Sequence, residues 1–233
     1  MSRPTLWVII PAAGMGKRMN AGVNKQYLSL RGVPILGRTI RFFDDLDRVD
    51  RIVVVVPGEE IPYCQREVIE RLGIGKVSHV VSGGSERQES VSNALHRIDA
   101  ADDDIVLIHD GVRPFVTATM VEDLIASLAG ADGAIVAVPV KDTVKVVQGG
   151  VVTATPERST LHLAQTPQGF RYRTIRDAYK RAADEGFIGT DDASLVERVG
   201  GKIAVVQGSY RNIKITTPED MLLAEAFCKE EGS

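Results

Sequence analysis

Cysteine is scarce in this 233-residue chain: Cys64 and Cys228 are the only two, far apart and without metal-ligand spacing. A disulfide scaffold is thereby excluded, and a reducing cytoplasm is the expected compartment. Histidine is equally sparse and scattered, at His79, His96, His109 and His162, so neither a zinc site nor a Cys–His nucleophile is expected. No apolar run approaches the roughly 20 residues that span a bilayer. The run near the N-terminus, of about five residues, is too short for a signal-peptide core. Charge of one sign is also missing. The net charge is −3 with both signs interspersed, so neither nucleic acid nor a membrane surface is expected as a partner. Internal repeats and low-complexity linkers are absent too. What the chain has is 44% hydrophobic residues, enough for one large α/β domain over residues 1–233.

Short β-branched runs alternate with segments of helical period. "LWVII" (6–10), "IVVVVP" (52–57), "KVSHVV" (76–81), "DIVLIH" (104–109) and "AIVAVP" (134–139) read as strands. They are apolar almost throughout, which predicts a sheet covered on both faces. Helices are predicted over 34–46, 59–73, 86–98, 117–130, 172–185, 191–199 and 218–230, with Thr117 as an N-cap, Gly130 as a stop and Pro218 near N1. Two further strands are predicted at 202–207 and at "RNIKIT" (211–216). Repeated strand–helix–strand units imply a mostly parallel, right-handedly wound sheet. The rhythm changes at 140–170. There "VKVV" and "VVTAT", joined by Gly149-Gly150, predict a hairpin, read as a β-arm subregion. An isolated ribbon is marginal in water, so this one is expected to pack on something else, with a second subunit as the candidate.

The stretch "PAAGMGKRMNAGVNKQYL" (11–28) follows the first predicted strand. It fails the P-loop pattern, because its first two glycines are two apart and Lys17 is followed by Arg18. It fails the dinucleotide fingerprint too, because Met19 occupies the third glycine position. A plain strand-to-helix turn accounts for Gly14 but not for the cluster Gly14, Gly16, Lys17, Arg18 and Lys25. The remaining reading is a loop whose backbone N–H groups approach phosphates, flanked by long cations, at the carboxyl edge where open α/β sheets bind ligands.

Other stretches carry two readings each. In "GGSERQESV" (83–91), Ser85 reads as a helix N-cap, or the glycines let backbone lie against a flat base while Ser90 offers a hydroxyl. In "IHDGVRPF" (108–115), Asp110 beside phosphates would need a hydroxyl donor or a cation, or else it pairs with Arg113 to pin a loop. His109 reads as a satisfied strand-end histidine. Thr190-Asp191-Asp192 reads as an N-cap with an acidic first turn or as part of a site. Lys214 reads as a solvated strand lysine or a site cation, and "ADDD" (101–104) as a solvated loop.

Together, "PAAGMGKRM", "NKQYL", "GGSERQESV", "HDGVRP", "PVKDTVK", "TPQGF", "TDDAS" and "NIKITTPED" resemble, in order and over nearly the whole chain, the 2-C-methyl-D-erythritol 4-phosphate cytidylyltransferase family of nucleotidyltransferases. The resemblance implies a Rossmann-like α/β sheet with a protruding β-arm that builds a homodimer. It implies transfer of CMP from CTP to methylerythritol phosphate in the non-mevalonate isoprenoid pathway, with Mg²⁺ held mainly by the triphosphate. By resemblance, Ala12, Ala13, Gly14 and Gly16 lie against the nucleotide, Gly84 and Ser90 read cytosine, and Arg18 and Lys25 are transition-state cations. Asp110, with Gly111 beside it, contacts ribose or polyol hydroxyls, and Arg113 belongs to the same substrate region. Thr143, Arg158 and Thr166 are arm residues offered to the partner's polyol phosphate, completed by Thr190 and Lys214. Arg158 and Lys214 position the attacking phosphate. The chain departs from the common pattern at Gly111 (usually Ala), Ser85 (often Asp) and Asn24 (often Pro), which leaves no acid at 85. Ribitol-5-phosphate cytidylyltransferase shares "HDxVRP", "TPQ" and "NIKIT", although "PAAG" leans towards methylerythritol. Of another class, a dinucleotide-binding oxidoreductase or regulatory module is disfavoured by Met19 and the cationic loop, and a non-catalytic nucleotide-binding homologue is the third alternative.

Overall fold

Neighbouring residues of the first strand belong to different cores. In β1 (Leu6–Pro11), Leu6, Val8 and Ile10 enter one apolar cluster, while Trp7 and Ile9 enter another on the opposite face. A strand that must satisfy two layers has no polar face, which is why the run is continuously apolar. The structure is a computed structural model describing residues 3–14 and 24–230.

A two-residue ladder, β2 (Ser29–Leu30) with β3 (Val33–Pro34), leads into α1 (Ile35–Asp44). β4 (Arg51–Val56) is followed by a 3₁₀ turn at Gly58–Glu60, then α2 (Ile61–Tyr63), which runs on as a π-helical Cys64–Glu70. The single helix predicted for 59–73 is thus three short pieces, with Pro62 tolerated in the first turn. Next come β5 (Val77–Ser82), α3 (Arg87–Arg97), β6 (Ile105–Ile108), α4 (Ala118–Ser127) and β7 (Gly133–Pro139). Thr117 caps α4 as expected, accepting a hydrogen bond from the Met120 amide. The chain continues through β8 (Val146–Gln148), β9 (Val151–Ala154), β10 (His162–Arg171), α5 (Tyr172–Asp184), α6 (Asp192–Arg198), β11 (Ile203–Gln207) and α7 (Pro218–Glu230).

Seven strands form one sheet in the order β11-β7-β10-β6-β1-β4-β5. All run parallel except β10, which is antiparallel to both β6 and β7. Leu36, Ile40 and Phe43 of α1, Val68 and α4 cover one face; Val91 and Leu95 of α3, Ile175 of α5 and Leu195 of α6 cover the other. A third cluster seats Ala224 and Cys228 of α7 against Leu30, Phe115 and Ile215. The expected mostly parallel α/β sheet is therefore present, and among the described residues no helix is long and apolar enough to cross a membrane.

Two expectations need correction. Residues 162–170, the end of the stretch 140–170 assigned to the arm, belong instead to the ten-residue β10 inside the main sheet. Gly169 makes the insertion possible: a Cβ there would lie 2.0 Å from Leu124 Cδ2, so α4 packs directly on the strand's backbone. The predicted strand 211–216 is irregular. The Asn212 side chain donates to the Thr166 carbonyl, the Arg113 guanidinium donates to the Asn212 carbonyl, and Ile215 N donates to Val112 O, so no sheet partner is left to it. The small hairpin does form: β8 and β9 pair antiparallel through Gly149 and Gly150, both at positive φ, and stand as a separate two-stranded sheet. Every residue of β8 and β9 is exposed.

Candidate active site

Where β1, β4, β5 and β6 end, their following turns surround a cleft of about 1180 Å³. Its wall includes Ala12, Ala13 and Gly14 after β1, Gly83 and Gly84 after β5, and Asp110 after β6. Among the described residues, Lys25, Arg87 and Lys214 are the cations on it. Gly83 permits the close approach of two of these turns, since a Cβ there would lie 2.2 Å from the Ala13 Cβ. Gly16 and Arg18 lie outside the described residues.

Lys25 opens a 3₁₀ turn, Lys25–Tyr27, that Glu60 grips from below: the Asn24 and Gln26 side-chain amides both donate to its carboxylate, the latter at 3.1 Å. Gln26 is fully buried beside the cleft with its Oε1 unpartnered. Sequence reading gave Glu60 no role, because a carboxylate that orients a neighbour has no motif of its own.

Asp110 is the electrostatic centre. Its carboxylate is buried, with Arg87 Nε 3.2 Å from Oδ1, and Lys214 Nζ at 3.0 Å and Arg113 Nε at 3.3 Å from Oδ2. Burial alone would push its pKa up, but Arg87, Lys214 and Arg113 together overcome that and hold it far below the ordinary carboxylate range. Lys214 is therefore a site cation rather than a solvated lysine, although not on a strand. The Asp–Arg113 pairing weighed from sequence is real as well, as one part of a larger cluster.

Arg87 is the residue that sequence reading missed. It is the first residue of α3, where a cation opposes the helix dipole, and that misplaced charge was the available signal. Its reason is two carboxylates: besides Asp110, it holds Asp192 through Nη1 at 3.0 Å and Nη2 at 2.7 Å. Burial tends to lower its pKa, but Asp192 and Asp110 raise it beyond the ordinary guanidinium value.

Below Asp110 lies a chain of oriented hydrogen bonds. The Asp110 amide donates to Thr166 Oγ1 at 3.0 Å, which is 3.2 Å from His109 Nδ1, and His109 Nε2 lies 2.9 Å from the Arg113 carbonyl. A carbonyl only accepts, so Nε2 carries the ring proton and the Thr166 hydroxyl donates to Nδ1. His109 is buried, which lowers its pKa to about 4 despite the Arg113 carbonyl and Asp110, and it is the satisfied strand-end histidine expected. Thr166, by contrast, is not an arm residue. It sits buried where the β10–β7 register shifts between Ala164 and Gln168, next to a cis Thr166-Pro167 bond, and its hydroxyl is engaged internally.

Other expected residues fall as follows. The Ser90 hydroxyl is buried, accepts from the Gly84 amide at 3.1 Å and donates to the Glu86 carbonyl, so it orients the glycine turn rather than presenting a free group. Ser85 is not the N-cap of α3; that position is Glu86, without a side-chain bond, while Ser85 N and Oγ both donate to Glu89. Asp191 caps α6 in a capping box with Ser194, and Thr190, exposed, precedes it. Gly111 packs behind the cleft, where a Cβ would lie 3.0 Å from those of Ala12 and the Leu36 side chain. Thr143 and Arg158 are exposed on the hairpin segment and do not line this cleft; Arg158 donates to the Lys141 carbonyl at 3.0 Å.

A mostly parallel doubly wound sheet, with glycine turns and cations gathered at its carboxyl edge, defines an α/β protein of the nucleotide-handling class. Comparison with known proteins is more specific. The pattern of the 2-C-methyl-D-erythritol 4-phosphate cytidylyltransferases matches residues 6–230, and the chain belongs to that family. The protein of that name from Geobacter metallireducens is 58% identical, over 97% of this chain and 98% of the relative. That from Geotalea uraniireducens is 59% identical, over 97% of each. The crystal structure of 4-diphosphocytidyl-2C-methyl-D-erythritol synthase from Anaerococcus prevotii superimposes with a TM-score of 0.85 at 32% identity, covering 97% of this chain and 96% of that one.

Proposed function

We propose that this chain transfers CMP from CTP to 2-C-methyl-D-erythritol 4-phosphate, releasing pyrophosphate. The observation that carries the reading is the Asp110 cluster facing a glycine-walled cleft with Lys25 on its rim, in a chain of this family. An oxygen of the substrate phosphate attacks the α-phosphorus in line; the new P–O bond forms as the bond to the bridging oxygen of the β-phosphate breaks. A phosphate monoester has a second pKa near 6 and is largely dianionic at neutral pH, so no general base is required. What limits the reaction is bringing two polyanions together, and fixed positive charge with alignment is the remedy. Lys25 and Arg18 stabilise charge on the α-phosphoryl and leaving groups. Ala12, Ala13, Gly14, Gly16 and Gly84 line the nucleotide, with Ser90 holding the glycine turn in place against the base. Asp110 meets the ribose or polyol hydroxyls, backed by Gly111, and Lys214 and Arg113 meet the polyol phosphate.

Magnesium enters as part of the nucleotide substrate. Among the described residues no group of three or more His, Cys, Asp or Glu side chains is arranged to hold a metal, and both Asp110 oxygens are already taken by cations. In this reading the triphosphate is the ion's main ligand, where the ion offsets negative charge.

The protein acts as a cytoplasmic homodimer, and the β8–β9 hairpin is the arm. Val146, Val147, Val151 and Val152 are 40%, 54%, 66% and 55% exposed on a ribbon too small to be stable alone. A second copy covers it, and Thr143 and Arg158 then reach the partner's polyol phosphate site, which Thr190 and Lys214 of the receiving subunit complete. The deciding assay supplies Mg·CTP with methylerythritol phosphate or ribitol 5-phosphate in parallel and follows pyrophosphate. Faster turnover of methylerythritol phosphate is expected; preference for ribitol phosphate, or release with neither, overturns the reading.

A further inference from the structure

Asp192 is fully buried, behind the cleft wall rather than on it. Three hydrogen bonds converge on its carboxylate: the two arms of the Arg87 fork and the Tyr179 hydroxyl of α5, which donates to Oδ1 at 2.5 Å. Tyr179 is buried too; burial and Asp192 raise its pKa well above the phenolic norm, so it stays a donor. A carboxylate taken out of water this completely is costly, and a buried ion pair is weak evidence for stability, because apolar replacements often serve as well. Orientation is what this one supplies. With both Nη atoms bonded to Asp192, the contact that Arg87 makes with Asp110 is through Nε, at 3.2 Å from Oδ1. Oδ2 is thereby left to Lys214 and Arg113.

We propose that Asp192, backed by Tyr179, is a positioning residue that holds the Arg87 fork away from the cleft and so fixes how Asp110 and Lys214 face the substrate. Released from Asp192, the fork is free to turn onto Asp110, where it forms a bidentate pair and competes with Lys214, or onto a ligand phosphate. The cleft would still bind an anion, but the polyol phosphate would lose its aligned lysine. The proposal rests on the transferase reading given above. Its positioning pair, Asp192 of α6 and Tyr179 of α5, stands off the cleft wall, and only Arg87 of α3 reaches it.

The test uses the full-length enzyme with Asp192→Asn, Arg87→Met, their double variant and Tyr179→Phe, with thermal unfolding recorded for each. Asp192→Asn is expected to lower kcat about tenfold or more while leaving the KM for CTP unchanged or lower. Tyr179→Phe should act in the same direction with a smaller fall. In the Arg87→Met background, Asp192→Asn should cost nothing further, because its effect travels through the guanidinium. A double variant showing the product of the two single effects, or a fall in melting temperature with kcat intact, overturns the proposal. Should Asp192→Asn fail to fold, Arg87→Lys, which keeps the charge but lacks the fork, must reproduce the kcat loss for the proposal to stand. A crystal structure of Asp192→Asn, or of Tyr179→Phe if the former does not fold, gives a readout that needs no turnover. An Arg87 guanidinium swung so that its Nη atoms meet Asp110 or enter the cleft supports the proposal; a fork still on residue 192 with Nε on Asp110 Oδ1 sinks it, whatever the substrate is.

Discussion

At the scale of single residues, the site is built from charges that are each answered by another. Asp110 has three cationic neighbours and two oxygens, so its carboxylate is fixed in direction as well as ionised. Lys25 is the cation of the rim. Lys25→Ala should reduce kcat by about 10²–10³, equivalent to roughly 3–4 kcal/mol, with little change in the KM for CTP; steady-state kinetics at saturating nucleotide measure it. An unaltered kcat would remove Lys25 from the chemistry. His109 gives a prediction in pH. Its folded pKa of about 4 lies below the ordinary 6.5, so between these values the unfolded chain binds a proton that the native one refuses. Its stabilising contribution is therefore whole above pH 6.5 and is lost as pH falls towards 4. From pH 6.5 to 5 the loss is about 2 kcal/mol. Urea titrations at the two pH values should show it in the wild type, and His109→Asn should flatten it. The Asp110 contribution fails only in stronger acid, below its ordinary 3.8, so the two are separable.

At the scale of elements, the parallel strands were legible because each must be apolar on two faces, and β1, β4, β5, β6 and β7 all fall within a residue or two of their predicted ranges. β10 was not, because its distinguishing residues argue against a strand: Pro167 lacks an amide donor, and Gly169 has no side chain to pack. Only α4 lying on that backbone explains the glycine, and no local pattern records a contact with Leu124. The failure at 211–216 has the mirror cause: an alternating apolar pattern was present, but the partners turned out to be side chains and loops. The turns that line the cleft were legible as motifs; Arg87 with Asp192 and Glu60 with Gln26 were not, since their partners are remote in sequence. Gly83 tests the turn geometry. Gly83→Ala forces a Cβ against Ala13 and the Ser90 hydroxyl, the latter 2.9 Å away, and should raise the KM for CTP about tenfold or more at a stability cost of about 1–3 kcal/mol. Normal nucleotide affinity in a folded Gly83→Ala enzyme would show that the two turns need not touch.

At the scale of the whole molecule, the arm and the cleft belong to one argument about assembly. If each arm serves the neighbouring site, inactive Arg18→Ala and inactive Arg158→Ala subunits should restore activity on mixing, because a mixed pair contains one site with both arginines intact. Up to about one quarter of the wild-type rate is expected from random re-pairing, in which half of the pairs are mixed and one of their two sites is whole. Activity no higher than that of the parents, in pairs verified as mixed, would confine each site to its own chain.

The strand that carries Thr166 beneath Asp110 also reaches His162, a few residues beyond the ribbon that ends at Ala154. Floor and outrigger are thus one length of polypeptide, stitched into the sheet at one end and bare at the other. In the homodimer proposed above, whatever grips the bare end also steadies the floor, so assembly and site are linked through one strand.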